Sequence, residues 1–60
     1  MKFKIWADKS GKSEKELAKI IKVSISSIRK YRAGERIPRP KKLIAIQKLT
    51  DHKVTLGDWI

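Results

Sequence analysis

Apolar residues recur along this chain in short bursts with helical spacing, and each burst ends at residues that helices tolerate poorly. In KFKIWADK, Phe3, Trp6 and Ala7 share one face at i, i+3 and i+4, which predicts a first helix over about residues 2–9, closed by Ser10 and Gly11. Leu17, Ala18, Ile20 and Ile21 form the next burst. Ser13 with Glu16 three residues on is a capping-box pattern, so this second helix spans about residues 14–21. The rhythm breaks at Lys22-Val23-Ser24 and resumes at Ile28, with Ser24 placed to cap a third helix from about residue 25 to Tyr31 or Arg32. AGERIPRP reads as a loop. Gly34 suits a left-handed helix closure, while Pro38 and Pro40 forbid continuation but fit the first turn of the next helix. A fourth helix over about residues 40–49 places Leu43, Ile46 and Leu49 on one stripe. In the tail HKVTLGDWI, Thr55 and Asp58 have the spacing of a capped last turn that returns Trp59 to the core. A strand through Lys53-Val54-Thr55-Leu56 is the competing assignment. The pattern predicts an all-α fold, a small five-helix bundle forming one domain over residues 1–60.

At 60 residues the chain is near the lower limit at which a hydrophobic core holds a fold without staples. It has no cysteine, which excludes disulfides and thiolate metal sites and permits a reducing compartment. Its apolar runs are far too short to span a bilayer, and MKFKIWADKSGK lacks the apolar stretch of a signal peptide. A soluble, cytoplasmic protein with no membrane partner is expected. No internal repeat, low-complexity tract or linker interrupts the chain.

Charge sharpens the picture, because a net +10 on so small a surface attracts polyanions. That charge is focused: residues 1–28 carry +4, residues 29–42 carry +6, and residues 43–60 are neutral. All four arginines, Arg29, Arg32, Arg36 and Arg39, lie in the middle window. Arginine presents a planar fork that matches phosphate or a guanine edge. Nucleic acid is therefore the expected partner, rather than a merely solvated basic surface.

Two helices joined by a turn of three residues must cross closely at a steep angle. That crossing requires a small residue where the helices touch, and Ala18 is in place for it. Leu17, Ile21, Val23, Ile28 and Tyr31 supply the inner faces and the corner. The break at Lys22-Val23-Ser24 is thus the corner of a helix-turn-helix, whose second helix turns Ile25, Ser26, Arg29 and Lys30 outward.

With these residues placed, SEKELAKIIKVSISSIRKYRAGERIP resembles the helix-turn-helix DNA-binding proteins of the Cro and phage-repressor type. PKKLIAIQKLTDHKVTLGDW looks like the fourth helix and closing segment of the same family, so the resemblance covers about residues 13–59. It implies that base edges are read by the first turns of the third helix, at Ser24, Ile25, Ser26, Arg29 and Lys30. The chemistry suits those positions: Arg29 or Lys30 can donate to guanine O6 and N7, Ser26 can donate or accept, and Ile25 can pack on a thymine methyl. Phosphate contacts fall to helix N-termini and loop cations: Ser13 and Lys15, Ser27, and Arg36, Arg39 and Lys41. The resemblance further implies a transcriptional repressor that binds operator half-sites as a homodimer, at least on DNA, acting most simply by blocking polymerase. Ile5, Ile37 and Ile60 fit no core stripe and provide surplus apolar surface for such a dimer.

Three residues depart from the family pattern. Lys22 stands where glycine is usual, at a turn position with positive φ, at a cost of roughly 1 kcal/mol or more. Glu14 replaces the glutamine that commonly touches a phosphate, and its carboxylate would repel the backbone while favouring the helix N-terminus. Arg32 replaces a frequent acidic residue near the end of the third helix, which is expected to add attraction instead of orientation.

Other chemistry is weakly signalled. His52 is the only histidine and has no partner at ligand spacing, so neither metal nor cofactor is expected, and no small-molecule ligand is evident. Ser24, Ser26 and Ser27 lack a candidate base, which disfavours an enzyme. Trp6 and Trp59 sit at helix-period positions away from the charged window and belong to the core rather than to a base-stacking platform. The rival functions are a non-specific RNA- or ribosome-associated basic protein and an antitoxin-like protein-interaction subunit; a membrane-active cationic peptide is disfavoured by the lack of one continuous apolar face.

Overall fold

The structure, a computed structural model, describes residues 1–59. It contains four α-helices, α1 (Phe3–Ser10), α2 (Glu14–Ile21), α3 (Ile25–Ala33) and α4 (Pro40–Leu49), followed by a 3₁₀ turn, Leu56–Asp58. Each helix ends where the sequence places a stop. Gly11 and Gly34 close α1 and α3 in the left-handed region, at φ 72° and 73°. Pro40 occupies the first turn of α4, where its missing N–H costs nothing. α2 and α4 have the expected bounds, α1 is displaced by one residue, and α3 runs on to Ala33 before Gly34 turns the chain.

The expected fifth helix is not formed. Its place is taken by the 3₁₀ turn of three residues, and among the described residues there is no strand at Lys53–Leu56 either. Two anchors leave room for no more than a turn. Val54 is fully buried, its N–H donating to the buried Thr50 hydroxyl at 3.2 Å, and five residues later the Trp59 indole N–H donates to the Tyr31 carbonyl at 3.2 Å. Between them the Asp58 carboxylate accepts from the Thr55 N–H at 2.8 Å, closing the turn by the predicted pairing.

Core residues come from all four α-helices and the segment after α4: Phe3 and Ala7, Leu17, Ala18 and Ile21, Ile28 and Tyr31, Leu43 and Ile46, and Val54. Taking Leu17, Ile28 or Ile46 out of water contributes about 1.5–3 kcal/mol each. Phe3 is the hub of an aromatic group, its ring centroid 6.2 Å from Trp6, 6.4 Å from Tyr31 and 6.0 Å from Trp59. Trp6 and Trp59 are half-buried against this core, the placement expected of both, although Trp59 reaches it from the end of the 3₁₀ turn and not from a helix. Leu49 also packs there, whereas Ile5 and Ile37 are 46% and 50% exposed; Ile60 lies outside the described residues.

Lys22 adopts φ 64°, ψ 49°, the left-handed conformation expected of glycine at this corner. Its N–H and that of Val23 both turn back to the Ala18 carbonyl. From α4, the Lys42 ammonium donates to the carbonyls of Ile21 and Lys22 at 3.3 and 3.1 Å. A cation at a helix C-terminus satisfies carbonyls that have no partner within the helix. The tight corner is thereby fastened to the rest of the fold.

Candidate nucleic-acid interface

α3 begins at a serine cap. The Ser24 hydroxyl accepts the Ser27 N–H at 3.1 Å, and the two hydroxyls share a further hydrogen bond at 3.0 Å. From that cap, Ile28 and Tyr31 face the core at 0% and 5% exposure. With about 100° between successive helical residues, Ile25, Ser26, Arg29 and Lys30 must share the opposite face. All four are exposed; Ile25, an apolar residue at the tip of a helix, is 39% open to solvent. The five positions expected to meet bases therefore form one outward surface, except that the Ser24 side chain is also engaged as the cap.

The residues expected at phosphates are more scattered. Ser13 caps α2, its hydroxyl accepting the Glu16 N–H at 3.1 Å, and Lys15 is exposed in the same first turn. Ser27 is half-buried beside Ser24. Arg36 is exposed in the loop, Arg39 is exposed at the N-cap of α4 and Lys41 is exposed in the first turn of that helix. Two helix N-termini, those of α2 and α3, thus present serine caps, with the weak positive potential that helix ends carry.

A charged chain ties α1, α2 and α3 together. Arg32 Nη2 donates to Asp8 Oδ1 at 2.5 Å, and its Nη1 lies 3.8 Å from Glu14 Oε2. On the same carboxylate, Glu14 Oε1 accepts from Arg29 Nε at 3.3 Å. Two expectations change. Arg32 does provide orientation, because carboxylates from two other helices grip it, and Glu14 faces arginines rather than standing alone at a helix end. Composition and spacing did not show this network. The signal available was the pair of departures itself, an acid at Glu14 and a base at Arg32, opposite in sign and so able to compensate.

Among the described residues no group of three or more His, Cys, Asp and Glu side chains is placed to hold a metal ion, and His52 is exposed in the turn after α4. That turn is made by Asp51 and His52, both left-handed at φ 55° and 62°, with the His52 N–H donating to the Gln47 carbonyl at 2.7 Å. No helix among the described residues is long and apolar enough to cross a membrane.

Comparison with protein families agrees with this architecture: a family profile described as helix-turn-helix matches residues 4–56. The chain belongs to the Cro/repressor-type helix-turn-helix family. As a member of that family it is a regulator of transcription that binds double-stranded DNA. The match covers α1 to α4 and reaches the 3₁₀ turn, so the corner between α2 and α3 sits in its family context. Comparison with curated proteins and with solved structures gives no match.

Proposed function

We propose that this helix-turn-helix protein is a Cro-like repressor that reads operator half-sites in the major groove with the outer face of α3. Ser24, Ile25, Ser26, Arg29 and Lys30 meet base edges, and Ser13, Lys15, Ser27, Arg36, Arg39 and Lys41 hold the backbone. The observation that carries this reading is the division of α3 into a face sealed in the core by Ile28 and Tyr31 and a free face with donors and one apolar tip. The body measures 24 × 21 × 19 Å between backbone extremes, too wide for a groove of about 12 Å, so an entering element must be a projecting helix.

Size also supports a dimer on DNA. Palindromic half-sites lie about 34 Å apart, beyond the 24 Å span of one copy, so two copies are needed to read both. Exposed Ile5, Ile37, Ile44 and Leu56 supply apolar surface for the pairing. Repression then follows from occupancy of the site. Residues 1–60 act as one DNA-binding unit.

Selection of bound duplexes from a random library tests the proposal, since a recovered palindrome reports both base preference and two-fold symmetry. Arg29→Ala is expected to lower discrimination at one base pair by about 1–3 kcal/mol, whereas Arg39→Ala weakens all duplexes alike. Equal loss on every duplex for Arg29→Ala would remove Arg29 from the reading face. Copurification of an acidic protein without retention on DNA would favour the antitoxin-like alternative.

A further inference from the structure

Arg29 carries more constraint than an exposed side chain requires. Its side chain is 69% open to solvent, yet its Nε is tied to Glu14 Oε1 at 3.3 Å. The Glu14 carboxylate is only 29% exposed and is itself fixed from behind, its second oxygen 3.8 Å from Arg32, which Asp8 holds in turn. Exposed ion pairs contribute little to stability, so the value of this chain is better sought in the geometry it imposes.

We infer that Glu14 is a positioning residue for DNA reading, which holds the Arg29 guanidinium by Nε so that its two terminal nitrogens project as a fork toward a guanine edge. The inference rests on the reading of α3 as the base-contacting helix. Guanidinium offers five N–H donors in one plane. With the Nε–H committed to Glu14, the remaining four lie on Nη1 and Nη2, and neither atom has a hydrogen-bond partner among the described residues. Guanine O6 and N7 are adjacent acceptors that such a fork can meet together. An arginine whose torsions are already restrained loses less freedom on contact than a free one.

The carboxylate also selects. A phosphate oxygen approaching Arg29 from the Glu14 side meets negative charge at short range, whereas a guanine edge approaching the fork is neutral. Glu14 therefore discourages Arg29 from serving as a generic phosphate contact. That is the reverse of what a basic protein gains from an unpaired arginine, and it exchanges overall affinity for discrimination.

The experiment compares the intact chain with Glu14→Ala, Glu14→Gln, Arg29→Ala and the Glu14→Ala/Arg29→Ala double variant. Each is titrated with the selected duplex, with duplexes altered at each base pair in turn, and with an unrelated duplex. Glu14→Ala is expected to cut the preference for guanine at the position lost in Arg29→Ala by about tenfold, while binding to the unrelated duplex tightens. Glu14→Gln keeps an oxygen that can accept the Arg29 N–H, so it should restore most of the preference while retaining the tighter non-specific binding. In the Arg29→Ala background, Glu14→Ala should change base preference no further. If the intact chain shows no base preference, the reading of α3 fails and this inference falls with it. If a preference is present, disappears in Arg29→Ala and survives intact in Glu14→Ala, the role of Glu14 alone is overturned.

Discussion

Lys22 shows how a single residue can violate a local preference and still be held in place. A residue with a Cβ in the left-handed region costs about 1–2 kcal/mol, and Lys22 sits there at φ 64° with its carbonyl taken by Lys42. Glycine would relieve the strain but add freedom to the unfolded chain. Lys22→Gly is expected to stabilise the fold by about 0.5–1 kcal/mol net, seen as a rise of several degrees in the thermal midpoint by circular dichroism. A fall in the midpoint would mean that the lysine side chain contributes more than its backbone costs. At this scale the sequence was informative, because the corner position of Lys22 follows from helix phase alone. The partner Lys42 was not legible: it lies twenty residues away, on a different helix, among many other lysines.

Elements are decided by their ends. Ser24 holds the first turn of α3 by accepting the Ser27 N–H, and Ser24→Ala should cost about 1 kcal/mol in stability. Ser24→Asp should restore the cap while placing negative charge beside the DNA, so recovery of the thermal midpoint without recovery of DNA affinity would separate capping from contact. The closing turn gives a pH prediction. Asp58 is held below its ordinary range chiefly by the Thr55 N–H, against the opposing effect of burial, with further help from the Met1 ammonium at 3.1 Å and from Lys2. A carboxyl whose pKa is lowered by folding stabilises the fold above its unfolded value, and that contribution is lost as pH falls through the folded value. The contribution should therefore be present in full at neutral pH and fall away progressively as pH drops below about 4. Comparing the thermal midpoints of the intact chain and Asp58→Asn between pH 7 and pH 3 checks it: the gap between them should close in acid. A constant gap would leave the ionised carboxylate without a part in the turn. The 3₁₀ form of this segment was not written in its pattern, since Thr55 and Asp58 fit a helix equally well; the burial of Val54 and the reach of Trp59 to Tyr31 limit it to one turn.

For the molecule as a whole, one small core supports everything. A chain of 60 residues has a total stability of only about 3–9 kcal/mol, and truncating a fully buried isoleucine costs about 2–5. Ile28→Ala should leave a loosely packed or unfolded chain at room temperature, detectable as loss of near-ultraviolet circular dichroism. A variant with a native spectrum and an unchanged midpoint would contradict the burial of Ile28. Four cations stand among the proposed phosphate contacts, so log affinity should fall with log salt at a slope of about −3 to −4 per copy, and Arg39→Ala should reduce that slope by about one. Binding that ignores salt would contradict a phosphate-anchored complex.

What the amino-acid order settled by itself was local or additive: where helices start and stop, which face of each is apolar, and where positive charge accumulates. Those properties depend on neighbours a few residues apart or on simple sums, so the α2–α3 corner and the outer residues of α3 could be read directly. Tertiary structure alone decided which charges meet. Asp8, Glu14, Arg29 and Arg32 come from three helices, and only the crossing of those helices brings one carboxylate within reach of two guanidinium groups. Long charged side chains have many partners available in sequence, and the packed backbone selects among them.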